Sequence, residues 1–262
     1  MNSSIANTKD GLRDRVALVT GAGRGIGRRI AVGLASAGAH VALLARSEQE
    51  LADVAAEIEA DGGIATAIAA DVRDNSKLHG AVDRVRAQLG APLVLVNNAA
   101  VVTPLGPTQA LEPTAVAAAM AVNVVAPITL SAMLLPGMIS ANWGRIVNVS
   151  SGIAGTPAAT PGMTVYAASK AALEAHTLNL AAELAGSRVT ANVYRPGAVD
   201  TAMQEWIRNQ PRDQIGAALH DRFEAMHAEG RLITAERSAR SLLDRIADQE
   251  SGQIWTVDDA TP

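Results

Sequence analysis

The sequence predicts an α/β fold, a doubly wound parallel sheet with helices on both faces, and three observations carry that prediction. Short apolar runs alternate with longer segments of helical period along nearly the whole chain. The first apolar run passes directly into a glycine turn, Gly21-Ala-Gly-Arg-Gly-Ile-Gly27, that opens a helical segment. The 262 residues, 48% of them hydrophobic, suffice for one sizeable core and give no reason to divide the chain, so residues 1–262 read as a single domain.

In chain order, residues 15–20 form a short apolar strand, and Ile30, Leu34 and neighbouring alanines give a helical face up to Gly38. Residues 40–45 are a second strand, 48–60 a second helix, 64–70 a third strand and 77–89 a third helix. A strand over 93–96 begins the next unit, followed by a long helix over 114–138, a strand at 145–149, a helix over 165–184 and a strand at 188–194. Residues 254–257 close the series. Strands alternating with helices imply right-handed crossovers, with ligands at the carboxyl ends of the strands.

Composition narrows the partners. A formal net charge of -4 without a run of Lys or Arg points away from nucleic acid and anionic membrane surfaces and toward a small-molecule substrate. The absence of cysteine excludes disulfides and thiolate chemistry and suits a reducing compartment. Residues 1–10 have no apolar signal core and read as a flexible tail, so a cytoplasmic location is expected. The five histidines, His40, His79, His176, His220 and His227, show no ligand spacing, and no metal site is expected.

From residue 87 to 169 the only acids or bases are Glu112 and Arg145, apart from Tyr166, so this region is predicted to be largely buried. Its uncharged part, 113–144, is long enough for a membrane span, but Asn123, Pro127, Thr129, Ser131 and Pro136 interrupt it. A helix between the core and a partner subunit fits better and predicts a homo-oligomer; a monomer with a buried central helix is the alternative.

Two motifs carry chemistry. Glycines in the 21–27 turn allow positive φ and leave no Cβ between the backbone and a pyrophosphate seated on helix N–H groups, although a tight turn without a ligand has the same composition. The spacing is not G-x-G-x-x-G, because the third glycine of that pattern falls on Ile26. Tyr166-Ala-Ala-Ser-Lys170 puts a phenol and an ammonium one helical turn apart, where the cation favours the phenolate and draws its pKa toward the working range. A surface pair has the same spacing.

Taken in order, Thr20 to Gly27, Asn97-Asn98-Ala99-Ala100 and Tyr166 to Lys170 resemble the short-chain dehydrogenase/reductase family, marked by T-G-x-x-x-G-x-G, N-N-A-G and Y-x-x-x-K. The resemblance runs over residues 11–257 and implies a Rossmann-like single domain; Ala100 departs from it, standing where the family has glycine. It also implies catalytic residues Asn123, Ser151, Tyr166 and Lys170. Ser151 is preferred to Ser150 as the second of the Ser-Ser pair after residues 147–149, with a small insertion expected in 152–164. Asn123 would position a water linked to Lys170, or be a paired amide at a kink near Pro127.

The same resemblance implies a nicotinamide cofactor held by Gly21, Arg24, Gly25, Ile26, Gly27, Asn98, Ala99, Tyr166 and Lys170, with Asp71 and Val72 at the adenine, Asp71 being alternatively an N-cap. Pro196, Gly197, Val199 and Thr201 resemble the family's carboxamide- and phosphate-binding segment. No carboxylate ends the second strand; Arg46 stands there, with Arg24 in the turn, so NADP(H) is preferred and NAD(H) possible. Residues 202–230 hold Met203, Trp206, Ile207, Phe223 and Met226 and read as lid helices over an apolar substrate, or as a peripheral amphipathic pair. The tail lacks the family's terminal glycine pair.

The implied activity is a carbonyl (keto) reductase with a small-molecule carbonyl or alcohol substrate, in a dimer or homotetramer. An NAD-dependent alcohol dehydrogenase and a non-catalytic NAD(P)-binding regulator are the alternatives.

Overall fold

The computed structural model describes residues 11–257. Its strands are β1 (Val16–Thr20), β2 (His40–Ala45), β3 (Ile64–Ala69), β4 (Pro92–Asn97), β5 (Gly144–Val149), β6 (Val189–Arg195) and β7 (Ile254–Thr256). They form one parallel sheet in the order β3-β2-β1-β4-β5-β6-β7. The order reverses between β1 and β4, which opens a crevice at the carboxyl ends of these two strands. Every residue of β1 and β5 is buried, as a parallel sheet covered on both faces requires.

The helices are α1 (Gly25–Ser36), α2 (Glu48–Ala60), α3 (Asn75–Gln88), α4 (Pro113–Met120), α5 (Ala126–Ser140), α6 (Thr164–Glu183), α7 (Ala202–Arg208), α8 (Arg212–Ile215), α9 (Ala217–Ala228) and α10 (Ala235–Leu243). Period-two alternation in the strands divides the core into two layers. Ala17, Val19, Val41 and Leu43 meet Ile30 and Leu34 of α1, Leu51, Val54 and Ile58 of α2, and Leu242 of α10. Leu18, Leu44, Leu95 and Ile146 meet Leu78 and Val82 of α3, Leu130 and Leu134 of α5, and Leu180 of α6. Each such aliphatic side chain stabilises the fold by about 1.5–3 kcal/mol through burial alone. Helix entry is fixed locally: Ser47 accepts from the Glu50 N–H at the start of α2, and Asp74 from the Lys77 N–H at the start of α3. That cap starts α3 at Asn75, two residues before the expected boundary, and removes Asp71 from the capping role.

The helix expected over 114–138 is interrupted by a π turn, Ala121–Val125. Pro127 has no N–H to give the carbonyl of Asn123 four residues back, so the ladder widens there without a break. The expectation that this region is largely buried holds for one face only. Val125 is 56% exposed, Ile139 is 53% exposed, and Ile128 and Leu178 of α6 are also exposed. Over Pro113–Ser140 the helix is long and apolar enough to cross a membrane by length and composition, yet Leu130, Leu134 and Met138 are seated in the core.

Helices α7 to α9 follow β6 and build a third apolar cluster. Ile207, Ile215, Leu219 and Phe223 pack with Val102, Ile153 and Met163, and Met203 and Tyr166 lie against them. Trp206, named with this apolar set, is 41% exposed. The tail over residues 1–10 and the missing terminal glycine pair lie outside the described residues.

Candidate active site

β1 delivers the chain into the glycine turn, and the end of β4 fastens it. The Thr20 hydroxyl accepts from the backbone N–H groups of Asn98 and Ala99, both at 3.0 Å. The Asn98 amide donates back to the carbonyls of Thr20 (3.0 Å) and Gly21 (3.2 Å), so this side chain is committed to holding the turn. Gly21 has φ +64°, and a Cβ there would stand 2.9 Å from Asn98 Nδ2; a Cβ on Gly27 would run into the Gly21 carbonyl. Neither position admits a side chain.

Helix α1 begins at Gly25 behind an extended Arg24, and no side chain caps its first turn and no acid lies in it. Its N-terminal N–H groups and dipole are therefore open to an anion, and this cradle fits a dinucleotide pyrophosphate. Thr201 closes the cradle from the far side, its methyl 3.5 Å from where a Gly25 Cβ would be. The chain reaches it through Pro196, Gly197 (φ +79°) and Val199, which bridges to Ile233.

Arg46 stands exposed at the end of β2. Arg24 lies 3.8 Å from Glu50, an exposed pair of little energetic weight. Asp71 accepts from Arg73 at 2.6 Å; that hydrogen bond first, with the charge of Arg46 adding to it, holds the Asp71 carboxyl below the usual carboxylate range. Val72 is half-buried beside it, and Ala99 and Ala100 are likewise half-buried.

The chemical end is built on α6. Tyr166 and Lys170 share one face, with Lys170 Nζ 5.8 Å from the Tyr166 ring centroid. The Lys170 ammonium donates to the Val149 carbonyl at 2.8 Å, tying α6 to the end of β5. Ser151, just beyond β5, accepts from the Ile153 N–H at 3.4 Å and stands close enough to the Tyr166 hydroxyl to favour its ionised form. Ser150 turns the other way and donates to Glu174 at 2.7 Å, so the structure brings Ser151 and not Ser150 to the tyrosine.

The electrostatics depart from expectation. Burial pushes Tyr166 up to about 12, and Ser151 only partly opposes it. Lys170, turned toward Val149, is itself lowered to about 8 by burial, with Glu174 opposing. Desolvation, and not the neighbouring cation expected from spacing alone, is the dominant influence on the phenol.

Asn123 sits in the π turn. Its Oδ1 accepts from the Val101 N–H (2.9 Å), and its Nδ2 donates to the Val101 carbonyl (2.8 Å) and to Ser169 (3.0 Å), whose hydroxyl donates to the Tyr166 carbonyl. The amide is fully paired, while Pro127 leaves the Asn123 backbone carbonyl without its ordinary helical donor. Sequence reading missed two residues that border the site, Glu174 and Arg195. The available signal was Glu174 standing four residues after Lys170 on the same helical face.

The family model for short chain dehydrogenases matches residues 15–212. The chain is 38% identical over 219 residues to a short chain dehydrogenase of Pseudocercospora fijiensis, covering 82% of this chain and 68% of the relative. It is 34% identical over 204 residues to a 3-oxoacyl-(acyl-carrier-protein) reductase of Pseudomonas aeruginosa, covering 78% and 81%. Among solved structures, a blue fluorescent protein from a metagenomic library in complex with NADPH matches with a TM-score of 0.81 at 32% identity, over 95% of this chain and 98% of that one. A glycine turn fastened by the end of β4, a Ser-Tyr-Lys group at the carboxyl ends of the strands and this likeness along most of the chain agree: the protein belongs to the short chain dehydrogenase family, NAD(P)-dependent oxidoreductases acting on CH–OH and C=O groups.

Proposed function

We propose that the protein is an NADP(H)-dependent carbonyl reductase in which Tyr166 moves the proton at the substrate oxygen. The observation that carries this reading is the Ser151–Tyr166–Lys170 group, with Tyr166 packed against the apolar cluster of α7 to α9. The bound nicotinamide supplies the hydride that the carbonyl carbon takes up. Tyr166, held as a phenol, gives its proton to the oxygen, and the carbonyl becomes an alcohol; the reverse reaction returns that proton to the phenolate. Ser151 donates a hydrogen bond to the same oxygen as negative charge develops. Lys170 lends positive charge to the phenolate side of the exchange, and the Asn123 carbonyl accepts a water that relays protons to Lys170.

Preference for NADP(H) rests on Arg46, exposed at the end of β2 where no carboxylate stands to repel a 2′-phosphate. The similar NADPH-bound structure supports it. Val102, Ile153, Met203 and Ile207 around Tyr166 favour an apolar ketone or aldehyde, with residues 202–230 as its lid. The exposed apolar side chains of Val125, Ile128, Ile139 and Leu178 are assigned to contacts between copies, in a dimer or homotetramer.

Absorbance of NADPH and NADH, followed side by side over a panel of carbonyl compounds, tests the reading. Tyr166→Phe is expected to lower turnover by about 100-fold or more while NADPH binding persists. Binding of NADPH without turnover by the wild type, and no effect of Tyr166→Phe, would favour a nucleotide-binding regulator. More efficient use of NADH would remove the role given to Arg46.

A further inference from the structure

Glu174 is a buried carboxylate to which the chemistry above gives no task. It accepts from Ser150 Oγ at 2.7 Å and, with both oxygens, from Arg195 Nε (2.8 Å) and Nη2 (2.7 Å). The Glu174 and Arg195 side chains are only 10% and 22% exposed. A pair so buried adds little net stability, because desolvation offsets the attraction, so stability alone is a poor account of it.

Its placement suggests a better one. Glu174 follows Tyr166 and Lys170 along one face of α6, two turns and one turn on respectively. Ser150 is the residue before Ser151, and Arg195 is the residue before Pro196 and Gly197. The Arg195 guanidinium also supports the turn after Ser151: a Cβ on Gly155 would stand 3.0 Å from Arg195 Nη1. Three segments of the site are thus joined at one carboxylate. Against this part of α6 pack β5, β6, α4, the π turn and the short turns Gly152–Ala154 and Pro157–Ala159. Arg195 from β6 is the charge they bring to this end, Arg145 lying at the start of β5; on α6 itself the titratable neighbours are Tyr166 and Lys170.

We propose that Glu174 is a positioning residue of this site: braced by Arg195, its carboxylate fixes Ser150 so that Ser151 faces Tyr166, and it supplies the counter-charge for Lys170. The consequence for turnover rests on the oxidoreductase reading; the consequence for Lys170 does not. Glu174 is the influence that opposes burial in setting the Lys170 ammonium, which agrees with this placement.

The sequence has three lysines, Lys9, Lys77 and Lys170, so the ε-carbon NMR signals of isotope-labelled lysine give Lys170 its own titration without any need for turnover. Glu174→Gln keeps an oxygen for Arg195 and Ser150 but removes the charge. It is expected to lower the Lys170 midpoint by about 0.5–1 pH unit. In the same variant kcat should fall about tenfold, with NADPH affinity changed less than about twofold. Glu174→Asp, which retains the charge, should recover most of the midpoint, and Arg195→Gln should raise it by freeing the carboxylate. If Glu174→Gln does not fold, the upward shift in Arg195→Gln decides the question. A Lys170 midpoint unmoved in the folded variants overturns the counter-charge role, and an unchanged kcat in folded Glu174→Gln overturns the positioning of Ser151. A wild type with no turnover refutes the oxidoreductase reading, while the lysine titration still reports on this one.

Discussion

Replacing Lys170 by methionine removes a buried cation at nearly constant volume, and the structure fixes how stability should respond to pH. Lys170 is 2% exposed and held at about 8, against its ordinary value of 10.5. Its folded pKa lies below its unfolded pKa, so between them the unfolded chain binds more protons and stability rises with pH. Tyr166 has the opposite sign: its pKa is raised by folding, so its contribution begins to be lost above about pH 10, and the comparison belongs at roughly pH 7 to 9.5. Over that interval a single lysine with these two pKa values gains roughly 2 kcal/mol for the wild type, a gain the Lys170→Met variant lacks. The Val149 carbonyl left unpaired in the variant costs about 1–3 kcal/mol, but equally at every pH, so it displaces the curve without tilting it. Urea unfolding of both proteins at closely spaced pH values measures the difference. A difference that stays flat across the interval refutes a depressed Lys170.

Two further perturbations probe the frame around the site. Thr20→Val is nearly isosteric but takes the acceptor from the Asn98 and Ala99 N–H groups, so a loss of about 2 kcal/mol or more is expected in thermal unfolding, with weaker NADPH binding; unchanged values of both would show the hydroxyl dispensable. Val125→Lys puts a charge on the exposed face of the central helix, and sedimentation velocity should show smaller species than the wild type; an unaltered assembly would clear that face of any role between subunits.

The alternation of strands and helices, the glycine turn and the Tyr166–Lys170 pair were all legible in the sequence, because each is a local pattern with a local cause. The choice of Ser151 over Ser150 was legible only through a resemblance; its physical reason, Ser150 turning to Glu174, depends on a contact between residues 24 positions apart. The π turn was harder to read. Pro127 announces a missing donor, but the pairing of Asn123 with Val101 and Ser169 at the widened turn joins distant segments, which no spacing reveals. The balance of charge at Tyr166 was misjudged for a related reason: spacing gives the proximity of Lys170, whereas the dominant influence is burial by segments from across the fold.

Tyr194 lies wholly buried in β6 with its hydroxyl 2.6 Å from the Ser238 carbonyl, and apart from Tyr166 the sequence has no other tyrosine. That hydroxyl also lies 3.2 Å from the Ser238 hydroxyl. Phenolate absorbance that grows in as a ligand binds, at a pH where the fold is intact, has two sources in the sequence, and its loss in Tyr166→Phe assigns it to Tyr166. With only two tyrosines to separate, the phenol of Tyr166 can be followed optically in this protein, with no label to add and no substrate to know beforehand.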